Sequence, residues 1–270
     1  MSERRGLYYD KSEIEVLDVP LNVRRYYTMI ARHEVMGLQT MGCSLERNNG
    51  YLLLRGGASQ RKSFYNRVMN ISTDEENLGV LIASKEAGDA SVVFVINPFT
   101  TPSNAEKVLD QCGATHTLSS VVLGRQSTEN TKQQSGMFRI KEAMVGNIDD
   151  LFDLFARFFL KEGELPDDAR VRLKQNLNHG PHLICYLNGV PVAFMGSVIF
   201  DNVASIYSGL VLEDQRKSPA LQDLGVKMSQ ALKDKGVDYE YMKTRNRAVV
   251  LYAIKMFGFQ RLYNERVYEI

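Results

Sequence analysis

The sequence predicts an α/β protein of the α+β kind, with mixed sheets flanked by helices and built as two consecutive halves. Three observations carry that expectation. Residues 125–136, near the middle of the 270-residue chain, contain no large apolar side chain and read as a surface linker. Each flanking segment ends in the same order of helical pattern, glycine turn and strand. In the first this is Cys112-Gly113-Ala114 ahead of 118–125, and in the second Phe257-Gly258-Phe259 ahead of 262–268. The strand-like runs 183–187 and 192–199 are joined at Asn188-Gly189, the signal of a two-residue hairpin. The expected domains are therefore residues 1–126 and 137–270.

Composition narrows the partners. Lys and Arg total 33 against 32 Asp and Glu, so a net charge of +1 gives no overall pull on nucleic acid or an anionic membrane. Hydrophobic residues at 44% and charged residues at 24% exclude a disordered chain, a collagen-like fibre and a disulfide scaffold. Three scattered cysteines, Cys43, Cys112 and Cys185, make neither a zinc knuckle nor a complete disulfide set and suit a reducing compartment. The N-terminus is polar and no window is apolar enough for a membrane span. The expectation is a cytoplasmic protein with no membrane and no nucleic-acid partner, a homodimer being left open.

In the first half, residues 19–36 carry Val23, Tyr27 and Ile30 on one helical stripe. Asn49-Gly50 turns the chain into the apolar run 51–54, and 66–71 follow as a strand. Residues 77–83 read as a short helix and 91–96 as a buried strand closed by Asn97-Pro98. A helix over 103–112 turns Ala105, Val108 and Leu109 inward. The basic glycine loop 55–62 has the residues of a phosphate cradle and equally those of a solvated hairpin loop, the commoner use.

In the second half, residues 138–143 make a strand, and 149–160 an amphipathic helix with Leu151, Leu154, Phe155, Phe158 and Phe159 inward. Residues 167–177 form a helix behind Pro166. After the hairpin, 204–212 continue an antiparallel meander, and Gly209 inside that strand marks a bulge or a close approach by a backbone or ligand. The next helix has Ser218 as N-cap and Pro219 at its first position. It buries Leu221, Leu224, Met228, Ala231 and Leu232 and ends at Gly236, before a strand over 237–244.

That order of strand, cationic loop, helix N-terminus, helix and strand has a chemical use. Free N–H groups beside Arg216 and Lys217 suit a phosphate or diphosphate, although an ordinary capped helix with two solvated cations has the same residues. Residues 188–193 (NGVPVA), 211–220 (VLEDQRKSPA), Arg245-Asn246 and Phe257-Gly258-Phe259 together resemble the GCN5-related N-acetyltransferase family, specifically members made of two tandem halves. Asn66-Arg67-Val68, the strand ending at Pro98 and the Gly113 turn resemble the degenerate N-terminal half of such proteins. The resemblance implies two tandem acyl-CoA N-acyltransferase domains. The donor would be acetyl-CoA or another acyl-CoA, and the acceptor an amine on a small molecule or peptide. It implies that the backbone of Leu210, Val211 and Leu212 pairs with the pantetheine arm while one N–H polarises the thioester carbonyl. Arg216, Lys217, Ser218, Ala220 and Leu221 would hold the diphosphate.

The sequence departs from the family pattern twice. The family loop reads Gln/Arg-x-x-Gly-x-Gly/Ala, where glycine allows close approach by phosphate oxygens. With Arg216 leading, the glycine positions hold Pro219 and Leu221; with Gln215 leading, they hold Ser218 and Ala220. Either way Pro219 removes one donor. The family's usual general acid, a Tyr four residues before the glycine of Gly-Phe, falls here on Ile254. Tyr252 lies two positions away, about 200° around a helix. The candidate catalytic residues are Tyr207, Tyr263 and Tyr252, with Tyr241 a further hydroxyl and His179 a loop histidine able to act as a base. No metal is expected: there is no His-Glu-x-x-His, and the pairs Asp149-Asp150 and Glu213-Asp214 require none. Three readings stand open. They are an acyl-CoA-dependent N-acyltransferase working by direct amine attack, a non-catalytic binding or regulatory module of the same fold, and an acyltransferase whose acyl donor is carried on a protein.

Overall fold

The computed structural model describes residues 21–56, 66–86, 91–127, 133–159 and 167–270. The expectations for the N-terminus, for 57–62 of the basic loop, for 128–132 of the linker and for Pro166 lie outside the described residues. In chain order the elements are α1 (Leu21–Thr40), β1 (Ser44–Asn48), β2 (Tyr51–Arg55), β3 (Arg67–Met69), α2 (Glu75–Glu86), β4 (Val93–Ile96), α3 (Ala105–Gln111) and β5 (Thr115–Gln126). There follow β6 (Arg139–Glu142), α4 (Ile148–Phe159), α5 (Asp167–Leu177), β7 (His182–Leu187), β8 (Val190–Phe200) and β9 (Val203–Val211). The last are α6 (Ala220–Asp234), β10 (Tyr239–Thr244), α7 (Arg247–Phe257) and β11 (Gln260–Glu269).

The chain forms two compact units. The first takes Met1–Leu123 with Lys243–Tyr252 and Gln260–Ile270; the second takes Gly124–Met242 with Ala253–Phe259. In the first unit the strands run in the order β1-β2-β3-β4-β11-β5, with β3 and β4 parallel and β11 antiparallel to β4. Alternation along the strands sorts its core onto two faces. Leu53, Val68 and Phe94 pack with Leu78, Ile82, Leu109 and Tyr268, whereas Leu54, Met69 and Val95 pack with Val35 and Leu38 of α1.

In the second unit the order is β10-β9-β8-β7-β6, antiparallel except for the parallel pair β9–β10. The β7–β8 turn has Asn188 at φ 52° and Gly189 at φ 84°, the left-handed backbone that the Asn-Gly pair admits at little cost. Leu151, Leu154 and Phe155 of α4 pack on Ile184, Phe194 and Leu210.

Three local expectations need correction. First, α6 begins at Ala220, with Pro219 in the cap position and Ser218 turned back so that its hydroxyl donates to the Gln215 carbonyl at 2.6 Å. Second, the buried stripe of α6 takes in Asp223, Gly225 and Ser229 in addition to Leu224, Met228 and Leu232, and leaves Leu221 and Ala231 half-buried. Asp223 is tolerated there because Ser135 donates to it from both N–H (2.8 Å) and Oγ (2.5 Å). Third, Arg125 does not open a solvated linker. It is buried at the end of β5, donates to Glu240 (3.0 and 2.6 Å), to Ser229 and to the Phe257 carbonyl, and lies 4.7 Å over the Phe259 ring.

Candidate functional site

The parallel pairing of β9 with β10 covers only Val203–Ser205 against Tyr239–Tyr241, although β9 runs on to Val211 and β10 to Thr244. Beyond Ser205 the described pairing of β9 is on its β8 side alone. Its register against β8 slips as well: Phe194 faces Leu210 but Gly196 faces Tyr207, so Ser208 and Gly209 together oppose Met195. This is a β-bulge, and it falls on the glycine where the sequence called for one. Beyond it the Leu212 N–H donates to the Val192 carbonyl at 3.0 Å. Successive peptide groups of a strand point to opposite sides, so the N–H and C=O of Val211 point away from β8.

The loop after β9 satisfies much of its own backbone. Gln215 N–H donates to Leu212 O (2.9 Å), Arg216 N–H to Glu213 O (3.4 Å) and Ser218 N–H to Gln215 O (3.0 Å). Ala220 N–H donates to Ser218 Oγ at 3.3 Å. The Arg216 guanidinium is half-exposed and lies 3.7 Å from the Glu213 carboxylate. In the first turn of α6, the N–H groups of Leu221 and Gln222 have no acceptor within the helix. The Leu221 side chain reaches back over the bulge: a Cβ on Gly209 would stand 3.7 Å from its Cδ1.

On the bulged strand, Tyr207 belongs to a directed hydrogen-bond chain. His182 Nδ1 lies 2.8 Å from the Gly180 carbonyl, which can only accept, so Nδ1 carries the proton. Burial holds the imidazole neutral, its pKa lowered to about 4, and Nε2 is then an acceptor for the Tyr207 hydroxyl at 2.5 Å. Asn176 Nδ2 donates to the same hydroxyl at 3.1 Å. Burial also pushes the Tyr207 phenol well up from its usual range. Sequence reasoning passed over His182 in favour of His179, which instead packs its ring 5.2 Å from Phe200. The one signal for His182 was its place at the head of an apolar, almost wholly buried strand, where a histidine needs partners.

No protein-family model matches the chain, and no curated protein matches it at a significant level. Solved structures do. A GCN5-related N-acetyltransferase from Kribbella flavida superposes with a TM-score of 0.68 at 12% identity, over 89% of this chain and 94% of that one. A GCN5-related N-acetyltransferase from Sphaerobacter thermophilus gives 0.60 at 11% identity, over 84% and 82%. A tandem GNAT protein from the clavulanic acid biosynthesis pathway gives 0.58 at 9% identity, over 84% and 83%. The fold is that of the GCN5-related N-acetyltransferases. At such identities the likeness shows the fold and carries no substrate.

Of the other candidate hydroxyls in this acetyltransferase fold, Tyr241 is buried on β10 in the second unit, and Tyr263 and Tyr252 belong to the first. Tyr263 is almost wholly buried, with its ring edge-on to Tyr27 (5.7 Å) and Phe99 (6.0 Å). Tyr252 is half-buried on α7, an uninterrupted α-helix that ends at Gly258 with φ 69°. Tyr252 and Ile254, which is 38% exposed, therefore keep the angular separation that regular helix geometry gives them. Among the described residues no group of three or more His, Cys, Asp or Glu is placed to hold a metal ion, and no helix is long and apolar enough to cross a membrane.

Proposed function

We propose that this protein is an N-acyltransferase that moves an acyl group, acetyl in the first instance, from a coenzyme A thioester to an amine on a small molecule or peptide in the cytoplasm. The observation that carries this reading is the early end of β9–β10 pairing beside the Ser208-Gly209 bulge, which turns the Val211 peptide group away from its sheet neighbour. A strand left unpaired on one side can align an extended amide-bearing arm, and an N–H fixed there can stabilise the charge that develops on a carbonyl oxygen. Leu210, Val211 and Leu212 would align the thioester, with Arg216, Lys217, Ser218, Ala220 and Leu221 beyond them. The neutral amine attacks the thioester carbon; the C–N bond forms, the C–S bond breaks, sulfur leaves as thiolate and the ammonium proton passes to water. The donor capacity of Tyr207 is spent on His182, so Tyr207 orients the strand more than it supplies a proton. A thiolate leaves without help from a strong acid, and the step tolerates Ile254 where the family has a Tyr.

Calorimetric titration with acetyl-CoA and with longer acyl-CoA thioesters tests the reading. Saturable binding of one molecule per chain is expected, followed by thiol release when a panel of amines is added. Binding without thiol release across the panel would favour the regulatory-module reading, for which Pro219, Leu221 and Ile254 speak. No binding at all would sink the acyltransferase.

A further inference from the structure

The loop that should grip the far end of the donor has lost much of its capacity to do so, although the N–H groups of Leu221 and Gln222 at the start of α6 have no acceptor within the helix. Four of its backbone N–H groups, those of Gln215, Arg216, Ser218 and Ala220, already have acceptors inside the loop. Pro219 has no N–H to give. The Arg216 guanidinium stands beside Glu213, which would be left facing any phosphate drawn to the arginine. Leu221 puts a side chain at the start of α6, where the family loop has a glycine and a diphosphate would approach, and its Cδ1 reaches to 3.7 Å from the place of a Cβ on Gly209. By contrast the bulge and the outward Val211 peptide group, which would hold the pantetheine and the thioester, are intact.

We propose that Pro219 and Leu221 are specificity-determining residues for the donor. They remove the diphosphate of coenzyme A from recognition, so that a phosphopantetheine thioester lacking the adenosine part, such as one borne by a carrier protein, is as good a ligand as the coenzyme A thioester. This rests on the acyltransferase reading above and adds to it the chemical class of the donor.

The test measures affinities by calorimetry for acetyl-CoA and for S-acetyl-phosphopantetheine, on the wild-type chain and on Pro219→Ala, Leu221→Ala and the double variant. Far-ultraviolet circular dichroism confirms that each is folded, and either single variant suffices if the double one is not. The wild-type chain is expected to bind the two ligands within fivefold of each other. The substitutions, which restore an N–H at 219 and clear the space at 221, should tighten acetyl-CoA at least tenfold and leave S-acetyl-phosphopantetheine within twofold of its starting value. A wild type that binds neither ligand overturns the proposal even where a variant gains acetyl-CoA binding. A wild-type preference for acetyl-CoA above fivefold overturns it while leaving the acyltransferase standing. So does the absence of any gain, or an equal gain for both ligands. Binding of neither ligand by any of the proteins overturns the acyltransferase reading and this inference together.

Discussion

The connection of strand, loop, helix and parallel strand is built twice in this chain, as β3–α2–β4 in the first unit and β9–α6–β10 in the second, and the two copies finish differently. In the first, pairing ends at Val68 and Phe94, but the gap beyond is filled by the protein itself. The Tyr27 hydroxyl donates to Asn70 Oδ1 at 2.5 Å and accepts from Asn97 Nδ2 at 3.4 Å, joining the ends of both strands. Phe99 stacks 4.4 Å from the Tyr27 ring. Ser72 and Thr101 form a parallel bridge, with Thr101 N–H donating to Ile71 O and Thr73 N–H to Thr101 O. The Asp74 carboxylate accepts from Asn77 N–H at 2.8 Å and puts a negative charge at the start of α2, where a phosphate would otherwise be welcome. In the second copy the described β9–β10 pairing ends at Ser205, and Arg216 and Lys217 precede the start of α6. Topology is shared; what fills the gap decides whether a ligand can use it.

The largest effect expected from this comparison concerns how each unit holds a buried charge. Arg125→Met should cost about 3–5 kcal/mol in urea unfolding, because Glu240 is fully buried and loses its cation. In the first unit Lys243, 2.5 Å from Glu34 and 2.6 Å from Glu265, is more open to water, and Lys243→Met should cost about 1–3 kcal/mol. Equal costs would show that burial does not separate the two networks.

Next comes pH. The pKa of His182 is lowered to about 4 in the folded chain, so the folded state resists a proton that the unfolded state accepts. Its neutral form favours folding fully above the unfolded value near 6.5, and that stability is lost as pH falls from there toward 4. Between pH 7 and pH 5 unfolding free energy should drop by about 2 kcal/mol, and His182→Gln should flatten the slope. A slope unchanged by the substitution would place the titration elsewhere.

A smaller change is expected for Tyr27→Phe, which unties Asn70 from Asn97 while keeping the ring. Loss of about 1 kcal/mol of stability is expected, with acyl-CoA still bound at one per chain. A second bound acyl-CoA would show that this hydroxyl alone closes the first copy. Smallest of all, the double charge reversal Arg216→Glu and Lys217→Glu should weaken acyl-CoA binding by less than about 1 kcal/mol, because both side chains are exposed and Arg216 already faces Glu213. A loss of several kcal/mol would mean that the loop rearranges to grip phosphate.

Much of the fold could be read from local pattern. Asn188-Gly189 forced its hairpin, Gly209 its bulge, and the apolar spacing of α4 its buried face, since each depends on near neighbours. The failures were of another kind. Arg125 lay in a polar run and read as solvated, because its partner Glu240 is 115 positions away. His182 was passed over, because its partner Tyr207 reaches it from another strand and Asn176 joins that hydroxyl from α5. Ser218 had the chemistry of a cap, but the carbonyl of Gln215 was the nearer partner for its hydroxyl. Of the candidate site, the strand β9 and the helix after its loop were legible as elements, while the pairing that stops at Ser205 was not: nothing in a strand's composition says where its neighbour leaves it.

The place of β11 bears on how the chain is made. Arg266, Val267, Tyr268 and Glu269 pair with Ile96, Val95, Phe94 and Val93, and the fully buried Tyr268 belongs to the core of the first unit. A ribosome completes α1 to β5 long before it reaches these residues, so during synthesis the edge of β4 has no permanent partner while the second unit takes shape. Domains that fold in order of emergence are the common case; here the earlier unit must wait for a strand made after most of the second unit. A nascent or truncated chain would therefore present an apolar strand edge open to pairing with other chains.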